Sequence, residues 1–338
     1  MVLYNKKNEN VTVMYSPLIL ILIFVIAFFT LARSSAVLIR GLTLFGRVLR
    51  LSEFAISFLL MSFATSVSEL FVGISSAAGG ISELSLGNIF GANLLNITIV
   101  IAIPILIARE KIEIESKIRR RNFWFIFFLS LFPFLLGLDG VISRGDGVIL
   151  LILFVFYIML IAGENEYFSK VYKPAQFHEG IFKRGYQALI FLGYGFLFLI
   201  ISSAVLVWAS KELSLLWAIG TLSFGVLFVS LGTTLPELIF GVRAALSEHG
   251  AMTIGNAIGS IAFNSAFIVG IVSIIQPITI RSPLEFFFVL GAFIAAFLFF
   301  NYFIYQRNTI TKKEALIMIS IYLIFVSFEF LCKSCLVF

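Results

Sequence analysis

The stretch SFATSVSELFVGISSAAGGISELSLGNIFGANLLN, residues 62–96, is written a second time as SLGTTLPELIFGVRAALSEHGAMTIGNAIGSIAFN, residues 230–264. The offset is a constant 168 residues and needs no gap. Ten of the thirty-five positions are identical: Ser62/Ser230, Thr65/Thr233, Glu69/Glu237, Leu70/Leu238, Gly73/Gly241, Ala77/Ala245, Gly87/Gly255, Asn88/Asn256, Gly91/Gly259 and Asn96/Asn264. Shared apolar composition would match leucines and phenylalanines, not glutamate, asparagine and glycine. Upstream, Ser34-Ser35-Ala36-Val37-Leu38 recurs at the same offset as Ser202-Ser203-Ala204-Val205-Leu206, so the duplicated unit is longer than the motif. A repeat of this length is one structural unit used twice.

The 338 residues are 60% hydrophobic and 12% charged, with forty phenylalanines and a mean hydropathy of +1.08. That balance excludes a soluble domain and places the chain among all-α, multi-pass membrane proteins with the lipid bilayer as partner. Apolar runs predict ten transmembrane helices, near 15–33, 53–77, 85–107, 122–138, 146–163, 186–209, 218–242, 252–275, 285–304 and 315–332. With the N-terminus outside, 18 of the 24 Lys and Arg residues fall in inner loops, among them Arg33, Arg40 and Arg47, and six, including Lys211, fall outside. The net charge of +6 is therefore a topological signal and implies no nucleic acid. Both termini are expected outside, in a plasma membrane protein that functions as a monomer. The apolar run after residue 14 reads as a span and not a cleaved signal, because the repeat resumes directly after it. Cys332 and Cys335 read as ordinary thiols, His178 and His249 as loop residues, and Asn10-Val11-Thr12 as a weak glycosylation sequon.

The second expected helix carries Glu69 and the seventh carries Glu237, so an odd number of spans separates equivalent points. One copy then crosses the bilayer in the opposite sense, which predicts two inverted-topology five-helix repeats with a site near the midplane. The chain divides in the charged linker, into residues 1–172 and 173–338.

On a helix, Ser62, Thr65, Ser66 and Glu69 share a face, as do Ser230, Thr233, Thr234 and Glu237. The next helix of each copy presents Asn88, Ala92 and Asn96, and Asn256, Ser260 and Asn264, at steps of four. Asn88 and Asn256 read equally as interhelical hydrogen-bonding residues. Gly87/Gly91 and Gly255/Gly259 have the spacing that lets membrane helices approach closely. An ionised glutamate at the bilayer centre costs roughly 2.5–3.5 kcal/mol or more, so it faces a partner or a polar cavity. Neither motif places a basic residue beside its glutamate. Two carboxylates among hydroxyl and amide oxygens describe a cage for a hard cation: Ca2+, whose charge two glutamates balance, with Na+ using subsets of the oxygens. Pro236 adds a helix break that frees backbone carbonyls. No enzyme chemistry is expected. An intramembrane hydrolase would need paired aspartates or a Ser/His arrangement within the membrane, whereas Asp139 and Asp146 fall at a loop. A cation channel or an inactive scaffold is distinguished by the absence of gradient-coupled counterflow.

At this point the sequence resembles the cation/calcium exchanger family, and most of all prokaryotic sodium/calcium exchangers. The resemblance rests on Gly232-Thr233-Thr234-Leu235-Pro236-Glu237, on Gly255-Asn256-Ala257-Ile258-Gly259-Ser260 with Asn264, and on Asp146-Gly147-Val148. It implies that Glu69 and Glu237 bind Ca2+ and share their oxygens with Na+. Thr65, Ser66, Thr233, Thr234, Asn96, Ser260 and Asn264 would complete the ion sites. It also implies that the first and sixth helices slide against the other eight, with no cofactor. The chain departs from the pattern in three places. The first motif, Phe63-Ala64-Thr65-Ser66-Val67-Ser68-Glu69, lacks the glycine and the proline, so a less broken helix is expected there. Ala92 replaces a serine, and Asn264 stands where relatives have aspartate. A Ca2+/H+ antiporter using the same glutamates is the alternative function.

Overall fold

The computed structural model describes residues 2–3, 12–13, 16–48, 65–108, 116–162, 181–247, 250–307 and 309–336. Ser62, Asn10, Pro174, His178, His249 and most of the first half of the second expected helix lie outside the described residues. Helix α1 is Pro17–Val48, α2 Val67–Ala78, α3 Ser82–Ile107, α4 Ser116–Leu136, α5 Arg144–Ala162 and α6 Ile181–Leu216. The chain continues with α7 Thr221–Thr233, α8 Leu235–Leu246, α9 Met252–Ile275, α10 Pro283–Arg307 and α11 Lys312–Leu336. Strands β1 (Val2–Leu3) and β2 (Thr12–Val13) pair antiparallel, as do β3 (Val141–Ile142) and β4 (Ile278–Thr279). The second ribbon ties the α4–α5 turn to the α9–α10 turn.

Among the described residues, five helices are long and apolar enough to cross a membrane: α3, α9, and windows Pro17–Phe45 of α1, Gly185–Leu216 of α6 and Pro283–Ile304 of α10. Helices α7 and α8 make a sixth span if taken together, bent by 42° at Thr234. Val67–Ala78 and Trp124–Asp139 are shorter apolar helices. The seventh expected helix is therefore two pieces. The first and sixth are much longer than expected, because a hydropathy window stops at charge while a helix does not. Arg33 and Arg40, expected in an inner loop, lie seven residues apart on one exposed face of α1, and Lys211 lies on α6. At 32 residues α1 is about 48 Å long, more than the ~30 Å of a bilayer core.

Burial separates centre from periphery. Within the membrane windows, 83% of α3 and 78% of α9 is buried, against 28% of α1 and 33% of α6. A helix apolar all round belongs in a core, and α3 and α9 supply it. One apolar cluster joins α3 and α9 to α4, α5, α10 and α11 through Phe90, Phe134, Phe293 and Phe297. A second, smaller cluster holds α1 and α6 against α2 and α7 through Leu31, Leu38, Leu199, Leu206 and Phe224.

Helices α1 and α6 run antiparallel, because Gly41 meets Leu192 while Leu38 meets Gly195. A Cβ on Gly195 would fall 3.0 Å from the Leu38 backbone, which shows how closely the two helices approach. Their buried stripes coincide across the repeat offset: Leu20, Ala27, Leu31, Ser34, Ser35, Leu38 and Gly41 match Ala188, Gly195, Leu199, Ser202, Ser203, Leu206 and Ala209, all buried. The duplication also sets helix starts. Ser143 N donates to Asp146 Oδ2 (2.7 Å) and Asp146 N to Ser143 Oγ (3.2 Å), a capping box that opens α5. At the equivalent positions before α11, Thr311 N donates to Glu314 Oε2 (2.7 Å) and Glu314 N to Thr311 Oγ1 (3.3 Å). Asp146 is thus a cap, and Asp139 Oδ1 accepts from Val141 N in the adjoining turn. Neither belongs to the site. Cys332 and Cys335 fall in the last turns of α11.

Candidate functional site

Two interruptions place the glutamates. Pro236 has no N–H, so the bond it would make back to Gly232 is missing and α7 bends into α8. Ser66 makes the equivalent turn before α2 with no proline: its angles are φ −83°, ψ 10°, against φ −83°, ψ −4° for Thr234. The same contacts follow each turn, Leu70 N to Ser66 O and Leu238 N to Thr234 O, both 3.1 Å. The turn at Ser66 thus matches the one at Thr234 without a proline, while the segment before Thr65 lies outside the described residues. Tertiary contacts hold the Ser66 turn where a proline reinforces its counterpart. Pro236→Ser, which copies Ser68 of the first repeat, is accordingly expected to lower the unfolding midpoint by the equivalent of about 1 kcal/mol at most, since proline in a first helical turn contributes only about 0.4–1 kcal/mol. A loss of about 3 kcal/mol or more would show that the proline itself sets the bend.

All nine expected site residues are buried: Glu69, Glu237, Ser66, Thr233, Asn96, Ser260 and Asn264 are 0% exposed, Thr65 1% and Thr234 3%. The two motifs meet face to face at the turns of Ser66 and Thr234. Ser66 Oγ donates to Glu237 Oε1 at 3.3 Å. Ser68 Oγ lies 3.2 Å from Glu69 Oε2 and 3.1 Å from the Thr233 carbonyl oxygen. Each glutamate is thus held by the opposite motif or by a serine beside it. Among the described residues no basic side chain offsets either carboxylate. Each keeps one oxygen, Glu69 Oε1 and Glu237 Oε2, buried without a hydrogen-bond partner among the described residues.

The asparagines at the fourth-residue steps divide into two roles. Thr233 Oγ1 donates to Asn88 Oδ1 at 2.9 Å, and Thr65 Oγ1 donates to Asn256 Oδ1 at 3.3 Å with Ser260 Oγ 3.4 Å away. Exchange of the two copies turns one threonine–asparagine pair into the other. The same exchange relates Gly73, set against Ser85 and Val272, to Gly241, set against Thr253 and Pro104. Asn88 and Asn256 are interhelical hydrogen-bonding residues, the plainer of their two readings. Asn96 and Asn264 lie in π-helical turns, Asn96–Val100 within α3 and Phe263–Ile268 within α9. Such turns widen the helix and recur at functional sites. Neither amide atom of Asn96, nor Oδ1 of Asn264, nor Oγ1 of Thr234 has a hydrogen-bond partner among the described residues. The site therefore presents several buried oxygens that the protein itself leaves unengaged, which fits a hard cation.

Sequence reasoning missed Ser68 and Asn93, which the duplication does not share, and two further buried acids. Glu83 is fully engaged: Thr221 Oγ1 donates to Oε2 (2.5 Å) and Arg281 N to Oε1 (2.7 Å), stapling α3 to α7 and the α9–α10 turn. Ser223 Oγ donates to Glu329 Oε1 at 2.5 Å, joining α7 to α11. An acid about one turn before the end of the apolar run 315–332 was the available signal for Glu329. Among the described residues no three His, Cys, Asp or Glu side chains gather as a metal cluster, so the acidic part of the centre is the Glu69–Glu237 pair.

The model of the sodium/calcium exchanger protein family matches residues 19–163 and again residues 187–331. The chain belongs to the sodium/calcium exchanger family. The two matches start 168 residues apart (187 − 19), the offset of the duplicated motif, so the family unit is the repeat itself. Sodium/calcium exchanger MaX1 of Methanosarcina acetivorans is 24% identical over 358 residues, covering 93% of this chain and 98% of that protein. Among solved structures, the H+/Ca2+ exchanger CAX matches with a TM-score of 0.71 at 18% identity, over 93% of this chain and 82% of that one. The sodium-calcium exchanger NCX_Mj soaked with Na+ and Sr2+ matches with a TM-score of 0.62 at 21% identity, over 92% of this chain and 98% of that one. As an exchanger-family member the chain is a helical membrane transport protein, and its fold is shared with both structures.

Proposed function

We propose that this chain is a secondary active antiporter that exchanges Ca2+ for Na+ by alternating access at a site built on Glu69 and Glu237. One observation carries the reading: two buried carboxylates from equivalent points of the repeat, without a basic partner, each with an unengaged oxygen. They balance the charge of one Ca2+, whose coordination of about six to eight oxygens can draw on Thr65, Ser66, Thr233, Thr234, Asn96, Ser260 and Asn264. Na+ uses subsets of the same oxygens, and competition for the carboxylates is the coupling. With no ion, two like charges in an apolar interior oppose closure, which suppresses leak.

The scaffold we assign is ten spans in two inverted-topology five-helix repeats, residues 1–172 and 173–338. The 168-residue offset, the antiparallel α1 and α6, and the contacts related by exchange of the copies support it. Helices α1 and α6 have an apolar cluster of their own with α2 and α7, which suits them to be the pair that slides. We place the protein in the cell membrane with both termini outside, acting as a monomer. Reconstituted in vesicles, it is expected to take up radiolabelled Ca2+ when an outward Na+ gradient is imposed at fixed pH. Dissipating that gradient should stop uptake.

A Ca2+/H+ exchange is the second reading, favoured by Ala92. This residue is buried with no hydroxyl where the second repeat has Ser260, so the first half offers one oxygen fewer to Na+. Two glutamates giving up two protons for one Ca2+ would be charge-neutral. Uptake driven by a pH gradient without Na+, and indifferent to Na+, would establish it and overturn the first reading.

A further inference from the structure

Asn93 lies on α3 one turn before Asn96 and is 1% exposed, and its counterpart in the second repeat is Ile261. The duplication therefore does not account for its polar side chain. Its amide joins α3 to the π-turn of α9: Nδ2 donates to Ser265 Oγ at 2.7 Å, and Oδ1 accepts from Asn264 Nδ2 at 3.2 Å. With that nitrogen engaged, the Asn264 carbonyl oxygen is buried and without a hydrogen-bond partner among the described residues.

An asparagine amide has two unlike ends. Only the carbonyl oxygen can ligate a cation, whereas the NH2 group turns hydrogens toward it. The chain Asn264–Asn93–Ser265 has two self-consistent directions, because the Ser265 hydroxyl can accept or donate. In the reverse direction Asn93 would donate to Asn264 Oδ1 and leave the Asn264 NH2 facing the ion. Asn93 thus stands at the junction where that direction is decided.

We propose that Asn93 is a positioning residue of the cation site, which holds Asn264 by its amide nitrogen and so keeps the Asn264 carbonyl oxygen free to ligate Ca2+. This rests on the antiporter reading above. The side chain touches Asn264 and Ser265 and acts on the ion through Asn264. Ile261, its counterpart, is fully buried among apolar neighbours and gives Asn96 no such support. The two halves of the site therefore differ: one amide ligand is braced and the other is not.

The test measures Ca2+ uptake by reconstituted full-length protein as a function of Ca2+ concentration. Asn93→Leu, similar in size but apolar, is expected to raise the half-saturating Ca2+ about tenfold while the maximal rate stays within about twofold. Asn93→Asp keeps the acceptor for Asn264, with the Ser265 hydroxyl turned to donate, and is expected to restore half-saturation to the wild-type value or below. Asn264→Leu alone and Asn93→Leu/Asn264→Leu together should be alike, because a residue acting only through Asn264 has nothing left to act on. Losses that add, or a wild-type half-saturation in Asn93→Leu, would overturn the assignment. If Asn93→Leu does not accumulate in the membrane, Asn93→Ser, too short to reach Asn264, takes its place with the same expectation. A wild-type protein that neither binds nor carries Ca2+ would overturn the antiporter reading itself, an outcome distinct from uptake that ignores Asn93.

Discussion

Glu237→Gln is expected to abolish the proposed Na+-gradient-driven uptake of radiolabelled Ca2+, and Glu69→Gln to do the same. Glutamine keeps the volume of the side chain and an oxygen that can accept from Ser66, which lies 3.3 Å from Glu237 Oε1. It removes half of the negative charge opposite the ion. A Ca2+ held by one carboxylate leaves a net charge in an apolar interior, at a cost of at least about 2.5–3.5 kcal/mol, or roughly 100-fold in affinity. The stability of the ion-free protein should move the other way. Glutamine removes a buried carboxylate that has no basic partner among the described residues, so Glu237→Gln should unfold in ion-free detergent at the wild-type temperature or higher. Ca2+ should raise the unfolding temperature of the wild type, by an amount equivalent to about 2.7 kcal/mol at a hundredfold excess over Kd, and leave the variant unmoved. Wild-type uptake in Glu237→Gln would remove the carboxylate pair from the mechanism.

Gly91→Ala is expected to lower the unfolding midpoint by on the order of 5 °C, from an overpacking cost of about 1–3 kcal/mol. A Cβ on Gly91 would fall 2.5 Å from the Val226 carbonyl oxygen and 2.6 Å from Ser230 Oγ. Both atoms belong to α7, so the methyl group would push α3 away from the helix that leads into the Pro236 bend. Gly87 meets the Leu222 backbone in the same way one turn earlier. The crossing is therefore backbone to backbone at Gly87, and at Gly91 it meets a backbone carbonyl and the short Ser230 side chain, with no long chain end that could give way. Gly193 is the control. It faces outward from α6, and no described residue lies within 4 Å of a Cβ built there. Gly193→Ala should be neutral, or stabilising by roughly 0.5–1 kcal/mol through helix propensity alone. Equal midpoints for Gly91→Ala and wild type would mean that α3 and α7 do not pack this closely.

The difference between these two glycines shows where sequence reading stops. The small-xxx-small spacing of Gly87 and Gly91 announces a close helix contact but does not name the partner. Hydropathy located the middle of each described membrane-length helix and missed the ends of α1 and α6. Arg33 and Arg40 interrupt an apolar window, yet on one exposed face they leave the buried stripe of α1 intact. Proline pointed to the bend at Thr234. Nothing local pointed to the matching turn at Ser66, because that turn is held by contacts from the other half of the chain.

By itself the sequence determined that this is a membrane protein made of one unit used twice, and that each unit carries a carboxylate with hydroxyls and amides at helical spacing. Those features are one-dimensional: composition, periodicity and identity at a fixed offset. Only the tertiary structure decided which oxygens are engaged and which are left over. Thr65 with Asn256, Thr233 with Asn88, and Asn93 with Asn264 are separated by 191, 145 and 171 residues. Whether such groups meet depends on where helices cross, a distance of a few ångströms that no local preference encodes.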